Sequence, residues 1–530
     1  MSAQRDVVVI GAGHNGLIAA CYLADAGLDV EVLERDEVAG GAVSTVERFP
    51  GFAVDRGSSL HLMIRMTGIP EELRLGEMGL QYVDCDPWAF HPVPDAPGGG
   101  ITFSIDLDAT CASIEAVCGP ADADAYRGFV LDWADRNERI FEAFQAAPSP
   151  GRLGRAMWGI GSGTGRSGLD LARDFLMPGD ALLDSLFSNE HLKTALSWLG
   201  AQSGPPMHET ATADLVGWNA LLHRRPPGRA IGGSGALTTA LVRRLAASGG
   251  RLRTGDGATR IETGASGVRA VFTASGERIP TRAVVAACHI TTTTQLLGEA
   301  VPTQLTGRLH RTLRVGNGIG MVVRLATTAL PSYPGAPESV NAGMVLAVPD
   351  RRTLRAAHGD FLTGTPPRTP ALVAMAHTAL DPSVAPEGKH SVTVWGQWHP
   401  YELADGRNWD DIGAAEGRRL IETLDGYAPG FGDSVEQVYV QTPLDLEREL
   451  GLVRGNVMHL EMSLDAMFSW RPLPELSRYR WPLPGVYLCG ASTHPGGGVF
   501  GASGRAAARA VLADRRPLAR VARRVRHRSL

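Results

Sequence analysis

Short apolar runs separated by amphipathic stretches mark the first part of the chain. Residues 7–10 are a continuous run of valine and isoleucine, which predicts a strand buried on both faces of a parallel sheet. A glycine-rich turn and a helical pattern follow as far as residue 27, and residues 29–33 predict a second buried strand. Strand, helix and strand in this order predict a parallel βαβ unit that opens an α/β fold.

The turn of this unit carries a GxGxxG pattern formed by Gly11, Gly13 and Gly16. The first glycine permits the tight turn, the second lets the backbone approach a pyrophosphate, and the third allows close packing of helix on strand. Phosphates are favoured at the N-terminus of the helix, where backbone N–H groups are unpaired. Glu34 ends the second strand and is placed to accept a hydrogen bond from a ribose hydroxyl.

Two further glycines, Gly40 and Gly41, can turn backbone N–H groups toward the same pyrophosphate. This extended signature resembles the FAD-binding fingerprint of the glutathione reductase and amine oxidase superfamily, which implies FAD as the cofactor. The arginine that usually follows the two glycines is Ala42 here, so one phosphate or flavin contact of that pattern is missing. A second GxGxxG match at residues 163–168 follows no apolar strand and predicts a flexible loop.

The pattern of the opening segment returns twice. Residues 232–287 predict a helix, short strands, a hairpin and another apolar strand, and residues 486–510 predict a strand, a glycine-rich turn and a helix. Two insertions separate these segments, at 63–224 and 298–480. The pattern of the first insertion is helical, and a stripe of large apolar residues in 126–144 is interpreted as part of the core. The predicted organisation is a Rossmann-type FAD-binding domain from 1–62, 225–297 and 481–514, a mixed α+β substrate domain from 63–224 and 298–480, and a basic tail at 515–530.

Four stretches resemble the phytoene desaturase-like flavoenzymes over essentially the full length of the chain. They are VVVIGAGHNGLIAACYLADAGLDVEVLER, IGGSGALTTAL, GNVMHLEMSLDAMFSWRPLPE and YLCGASTHPGGGVFGASGR. The last two are most similar to the branch of pyridine nucleotide-disulfide oxidoreductase domain-containing protein 2 and the desaturase-like β-carotene ketolases. The resemblance implies a glutathione reductase/amine oxidase-like fold, non-covalent FAD, no internal NAD domain, and removal of hydrogen from apolar substrates.

The cofactor contacts are predicted from the glycine-rich turns and the strands beside them. A glycine-rich turn near the C-terminus lets the backbone lie against a flat ring and places a helix N-terminus near flavin N1. The predicted cofactor-binding residues are Gly11, Gly13, Gly16, Glu34, Gly40, Gly41, Ala258, Gly490, Gly497, Gly498 and Val499.

Three histidines are candidates for a catalytic role. His494 lies in the turn that faces the flavin in the family pattern, with turn stabilisation as the alternative. His61 follows the segment DRGSSL, which in this superfamily runs toward the flavin. His459 belongs to the alternating stretch MHLEM and is a candidate for a substrate wall.

The predicted function is that of an FAD-dependent oxidase or dehydrogenase, which removes hydrogen from a hydrophobic or biosynthetic small molecule by hydride transfer to flavin N5. Oxygen or a quinone is the expected electron acceptor. The alternatives are a carotenoid ketolase or redox-neutral isomerase, an amine oxidase-type C–N oxidation, and a non-catalytic flavin-binding protein. Many amine oxidases resemble one another in using a lysine beside flavin N5. The chain has only two lysines, Lys193 and Lys389, and the sequence around neither of them resembles the motif that carries this lysine.

Composition and charge exclude several other classes of protein. A net charge of −5 gives no reason to expect nucleic acid, and the six cysteines show no spacing for a metal site or a disulfide framework. Neither a secretory signal nor a membrane-spanning run is evident, which favours a cytoplasmic protein. The last 18 residues contain seven arginines, which predicts a solvated tail or, alternatively, peripheral contact with an anionic membrane.

Overall fold

The computed structural model describes residues 4–148, 151 and 168–515. The loop predicted at 163–168 lies, apart from its last residue, outside the described residues, as does the basic tail beyond residue 515. The strands of the described chain are β1 (Val7–Ile10), β2 (Val30–Leu33), β3 (Thr45–Phe49), β4 (Phe52–Asp55), β5 (Tyr82–Asp84), β6 (Ala89–Pro92), β7 (Gly100–Phe103), β8 (Gly228–Ala230), β9 (Arg251–Arg253), β10 (Ala258–Gly264), β11 (Gly267–Thr273), β12 (Arg278–Pro280), β13 (Val284–Ala286), β14 (Gly320–Thr327), β15 (Met344–Ala347), β16 (Leu372–Ala376), β17 (His390–Gln397), β18 (Val435–Gln441) and β19 (Val486–Leu488).

The helices surround the sheets and carry most of the first insertion. The α-helices of the described chain are His14–Asp25, Ile69–Glu72, Leu107–Cys118, Pro120–Phe144, Gly168–Leu176, Gly179–Leu186, Glu190–Gly200, Ala213–Leu221, Gly235–Ala247, Ile290–Leu297, Thr303–Thr312, Arg351–Leu362, Trp409–Asp425, Pro443–Leu450 and Ala502–Arg515.

A five-stranded parallel sheet lies at the centre of the Rossmann-type domain, in the order β19-β13-β1-β2-β9. Val8 of β1 pairs with Val284 on one side and with Glu31 on the other, so the opening strand occupies the middle of the sheet. The side chains of β1 are buried on both faces, as the continuous apolar run predicts. The predicted α/β fold is therefore confirmed, with strands drawn from three separated parts of the chain.

A second sheet of seven strands, in the order β18-β14-β17-β16-β15-β6-β7, lies within the two insertions. Its neighbouring strands are antiparallel except for the parallel pair β15 and β6. This arrangement is the mixed α+β part of the predicted fold. The domain boundaries given by the sequence stay a prediction, because strand pairing does not fix where one domain ends.

The first insertion is less uniformly helical than its pattern predicts. β6 and β7 form a hairpin that pairs with β15 of the second insertion, a contact between residues about 250 positions apart in the chain. The predicted long helix is present as Pro120–Phe144, and its apolar stripe is buried in the core. The two strands were missed because each is four residues long and its partner lies in another segment.

Other features of the described residues concern membranes, metals and thiols. None of their helices combines the length and the apolar character needed to cross a bilayer. No cluster of histidine, cysteine and acidic side chains in them is arranged to hold a metal ion. The six cysteines are free thiols.

Candidate functional site

A cavity of about 390 Å³ lies against the carboxyl ends of the parallel strands. Each of the eleven positions predicted to contact the cofactor lines it. Ligands of open α/β sheets bind at this edge, outside the carboxyl ends of the strands. The tertiary structure thus brings the three separated glycine-rich segments to one site.

The helix His14–Asp25 begins at the cavity with unpaired backbone donors. Its first backbone hydrogen bond runs from Leu17 N–H to Gly13 O at 3.0 Å, so the N–H groups of the preceding turn have no partner within the helix. Gly13 has no other atom within 4 Å of the position that a Cβ would take, whereas a Cβ on Gly16 would collide with Gly11 O. Gly16 therefore serves helix–strand packing, and Gly13 leaves a cradle open for a phosphate group.

Glu34 is held by backbone groups on both sides of the cradle. Its Oε2 accepts Ala12 N–H at 2.7 Å, and its Oε1 accepts Asp36 N–H at 3.0 Å. Each carboxylate oxygen keeps a second lone pair, so the fixed carboxylate can still accept hydrogen bonds from a ribose. A dinucleotide with an adenosine half fits this donor and acceptor arrangement.

We expect Glu34→Ala to raise the dissociation constant of FAD by about 10- to 100-fold, because charge-assisted hydrogen bonds to the ribose are lost. The dissociation constant of FMN, which has no adenosine, should change by less than about threefold. Fluorescence titration of the apoprotein with each flavin measures both values. Glu37→Ala, at an exposed position nearby, is the control, and an equal loss of FAD and FMN binding would contradict this role of Glu34.

The loop of Gly40 and Gly41 closes the cradle from the other side. Gly40 N–H donates to Ala12 O at 2.9 Å, and both glycines have a positive φ, of 115° and 55°. Ala42 supplies no charge, but its carbonyl accepts Ser58 N–H at 2.7 Å. This hydrogen bond fixes the backbone at Ser58, which also lines the cavity. The basic side chains along the cavity are instead Arg35, His14, His289 and His459.

A second part of the wall, termed the C-terminal wall, combines the C-terminal turn with residues of the second insertion. It consists of Trp395, Val457, Met458, His459, Gly490, Ala491 and residues 496–499. Its side chains are apolar apart from His459, and Glu34 is the one carboxylate along the whole cavity among the described residues. Lys193 is paired with Glu190 at 2.6 Å and Lys389 with Glu436, and neither lysine lines the cavity.

His459 is the one predicted catalytic histidine that lines the cavity. Its backbone has a φ of 65°, in the left-handed region, and its Nδ1 lies 3.1 Å from Ser492 Oγ. Its Nε2 makes no hydrogen bond within the described residues. Burial, with the nearby charges of His289 and Arg471, lowers the pKa of His459 well below 6.5. The imidazole is therefore neutral at pH 7, and in the tautomer whose Nδ1–H donates to Ser492 Oγ its Nε2 can accept a proton.

The other two candidate histidines lie outside the cavity wall. His61 contacts Tyr82 Oη at 2.7 Å and Ser234 Oγ at 2.8 Å, so both ring nitrogens are engaged in holding separate segments together. His494 stacks on Phe144 with centroids 5.6 Å apart, and its Nε2–H donates to Ala143 O at 3.4 Å. Their geometry supports packing roles, which for His494 is the alternative of turn stabilisation, and a catalytic role for either histidine stays a prediction.

Several cavity residues escaped the sequence argument. His14 and Asn15 lie inside the GxGxxG motif, where the variable positions could have been flagged as cavity-facing. Trp395 and His289 come from a strand and a turn that share no local motif with the glycine-rich segments. His289 follows β13 of the Rossmann-type domain, whereas only the folding of the second insertion against that domain brings Trp395 to the cavity.

Comparisons with known proteins show the family to which the chain belongs. Residues 9–66 match the family model of the NAD(P)-binding Rossmann-like domain, and residues 163–402 match that of the flavin containing amine oxidoreductases. The chain is 31% identical to pyridine nucleotide-disulfide oxidoreductase domain-containing protein 2 of Rattus norvegicus, over 97% of this chain and 94% of that protein. The chain belongs to the phytoene desaturase-like family of flavin-containing oxidoreductases.

Two further comparisons give a more distant relative and a solved structure of similar fold. It is 28% identical to a phytoene dehydrogenase of Streptomyces griseus, over 93% of this chain and 92% of that protein. Among solved structures, wild-type putrescine oxidase bound to putrescine has a TM-score of 0.62 at 15% identity, covering 97% of this chain and 99% of that chain. The second similarity shows a shared fold.

Proposed function

We propose that the protein holds FAD non-covalently in this cavity and removes hydrogen from an apolar small molecule at the C-terminal wall. The observation that carries the proposal is the character of that wall, whose side chains are apolar apart from His459. An ammonium group bound there would meet no carboxylate among the described residues. A desolvated cation without a partner is costly, so an amine is disfavoured and a hydrocarbon-like substrate is favoured.

The fit of FAD rests on the shape and donors of the cavity. Gly13 and the start of helix His14–Asp25 offer open space and unpaired N–H groups for the pyrophosphate, and Glu34 offers a fixed acceptor for the ribose. The glycines of the C-terminal turn let the backbone lie against a flat ring system. When bound, the flavin supplies a hydride acceptor at N5.

The protein's own part in the reaction is positioning, exclusion of water and proton handling. Trp395, Val457 and Met458 offer apolar contacts that hold a substrate and keep water away. Loss of a hydride from one carbon must be accompanied by loss of a proton from its neighbour to form a double bond. His459 Nε2 is neutral and unpaired among the described residues, and we assign it that proton.

Replacing His459 with asparagine tests this assignment, because asparagine tolerates the positive φ but cannot act as a base at neutral pH. We expect the rate of flavin reduction by substrate to fall by about 100-fold while the flavin stays bound. Stopped-flow absorbance under anaerobic conditions measures the rate. His310→Asn, at an exposed position, should leave it unchanged. A His459→Asn rate within threefold of wild type would refute the assignment.

The substrate class is tested by anaerobic bleaching of the bound flavin. The flavin-loaded protein is mixed with phytoene in detergent micelles or with putrescine, since proteins similar to this one carry both names. We expect phytoene-like hydrocarbons to bleach the flavin and putrescine to leave it oxidised. Bleaching by putrescine alone would favour C–N oxidation, and bleaching by no compound of either class would favour a non-catalytic flavin protein.

Product mass separates the remaining alternatives. Loss of two hydrogens indicates desaturation, gain of oxygen indicates a ketolase, and an unchanged mass indicates a redox-neutral isomerase. We propose oxygen or a membrane quinone as electron acceptor, and the rate at which photoreduced protein reoxidises in aerated buffer distinguishes them.

A cytoplasmic protein that contacts anionic membranes through its basic tail would suit an apolar substrate, and vesicle cosedimentation tests that contact.

A further inference from the structure

A buried arginine lies directly behind the C-terminal wall. The side chain of Arg471 is fully buried, with 0% exposure. Its Nε and Nη2 both donate to Ala491 O, at 2.9 and 2.7 Å, and Nη2 also donates to Met458 O at 2.7 Å. Ala491 and Met458 both belong to the C-terminal wall, so the guanidinium braces it from behind.

The guanidinium also lies close behind the glycine-rich turn. A Cβ added to Gly496, a residue of the wall, would lie 3.3 Å from the central carbon of the Arg471 guanidinium. Met462 Sδ would lie nearer, at 2.7 Å, so the guanidinium and the Met462 side chain both lie directly against the turn at that point. A side chain at residue 496 would collide first with Met462.

The charge of Arg471 is not neutralised by an adjacent carboxylate. Its remaining strong donor, Nη1, bonds to the backbone carbonyl of Glu461 at 2.7 Å, and no ion pair with Arg471 forms in the described residues. The Glu461 carboxylate makes no ion pair with Arg471 in the described residues, and its oxygens accept Asn317 N–H at 2.9 Å and Met462 N–H at 2.7 Å. Its field still acts on the guanidinium and offsets part of the charge. Burial lowers the pKa of Arg471 to about 9, which still leaves it protonated at pH 7.

A buried cation without a paired anion is costly, and carbonyl dipoles compensate for it only in part. A flavin gains negative charge when it takes up a hydride, and this charge would develop beside the wall that Arg471 braces. Resting on the function proposed above, we propose that Arg471 stabilises the anionic reduced flavin through the C-terminal wall and so makes the bound flavin a stronger oxidant. Arg471 acts through space and is a positioning and electrostatic residue, not a catalytic one.

Two substitutions at the same position separate charge from packing. Arg471→Lys keeps the positive charge, and Arg471→Gln removes it while keeping a donor for the wall carbonyls. The equilibrium constant for reduction of the bound flavin against a reference dye is measured for each. We expect Arg471→Gln to lower this constant at least tenfold, which for a two-electron couple is about 30 mV. Arg471→Lys should stay within threefold of wild type, although both variants have a lower melting temperature.

Glu461→Gln provides an opposite test that does not alter Arg471. It removes the carboxylate whose field partly offsets the arginine, and its side chain can still accept a backbone N–H. We expect the equilibrium constant for flavin reduction to rise about threefold or more. A general loosening of the site cannot produce shifts of opposite sign at the two positions.

The outcomes are distinct. Equal constants for Arg471→Lys and Arg471→Gln, or no rise in Glu461→Gln, would overturn the electrostatic role of Arg471 while leaving the flavin assignment intact. If neither Arg471 variant folds, the sign of the Glu461→Gln shift decides alone. A wild-type protein that cannot be loaded with FAD would overturn both this inference and the function on which it rests.

Discussion

The variant Gly13→Val is expected to lose flavin binding completely while keeping the melting temperature of the apoprotein within a few degrees of wild type. The φ of Gly13 is −62°, which any residue adopts, and no atom lies within 4 Å of its Cβ position. The added Cβ therefore meets nothing in the protein, and the valine methyl groups extend into the cradle that a pyrophosphate would occupy. Contacts to the unpaired N–H groups of helix His14–Asp25 are then blocked.

Flavin absorbance per mole of purified protein and fluorescence titration of the apoprotein measure this loss. Gly76→Val is the matched control, because Gly76 is exposed, also has open space at its Cβ position and lies outside the cavity. Gly16→Val is a useful contrast, since its Cβ would collide with Gly11 O and destabilise the apoprotein as well. Full flavin content in Gly13→Val would mean that the cofactor does not use the glycine-rich turn.

Lowering the pH from 7 to 5 is expected to reduce the free energy of unfolding, by about 5 kcal/mol from His61, His399, His494 and Asp214 alone. Burial lowers the pKa of His61 and His399 to about 3 and that of His494 to about 4. An unfolded histidine titrates near pH 6.5, so below that pH the unfolded chain binds protons that the folded chain does not. The contribution of each neutral buried histidine to the free energy of unfolding is fully present above pH 6.5 and is lost as the pH falls toward its folded pKa. At pH 5 the loss is about 2 kcal/mol for each histidine.

One buried acid opposes the trend. Burial raises the pKa of Asp214 to about 6 against the opposing effect of Arg136, so its contribution to stability increases as the pH falls through 6. It offsets about 1 kcal/mol of the loss, which leaves about 5 kcal/mol from these four groups. Further histidines whose pKa is lowered by burial, His14, His91, His289 and His358, add to the loss. Urea denaturation of the apoprotein at pH 7 and pH 5 measures the difference in unfolding free energy.

His399→Gln isolates one of the three histidines. Its Nδ1–H donates to Gly396 O at 3.0 Å, and its Nε2 is buried without a partner in the described residues. We expect this variant to lose about 2 kcal/mol less than wild type between the two pH values. His310→Gln, at an exposed position, should show the wild-type loss. An unfolding free energy that is equal at pH 5 and pH 7 would mean that these histidines do not stay neutral in the folded protein.

Local patterns predicted much of the fold and the candidate cofactor site. The run at Val7–Ile10, the glycines that follow and Glu34 at the end of β2 each have a physical reason that acts over a few residues. The eleven predicted cofactor positions line one cavity for the same reason, since glycine-rich turns after parallel strands open at one edge of a sheet. Their contact with FAD stays a prediction until flavin binding is measured.

The sequence was a poor guide to the direction of individual side chains. His61 and His494 lie in segments that approach the cavity, yet partners from distant segments, such as Ser234 and Phe144, turn their rings into the core. Arg471 carried no local signal of its role, because its acceptors come from residues 458–491 and are backbone carbonyls. A side chain's orientation depends on long-range packing, which the spacing of residue types does not encode.

The sequence by itself determined the Rossmann-type unit, the family and the class of cofactor, because each rests on short-range periodicity and turn chemistry. The tertiary structure decided which chemistry faces the site. It places apolar residues of the second insertion and His459 at the C-terminal wall, withdraws both lysines into ion pairs away from the cavity, and buries Arg471 behind the wall. Those placements arise where two separately encoded sheets pack together, and only the folded chain brings them within contact distance.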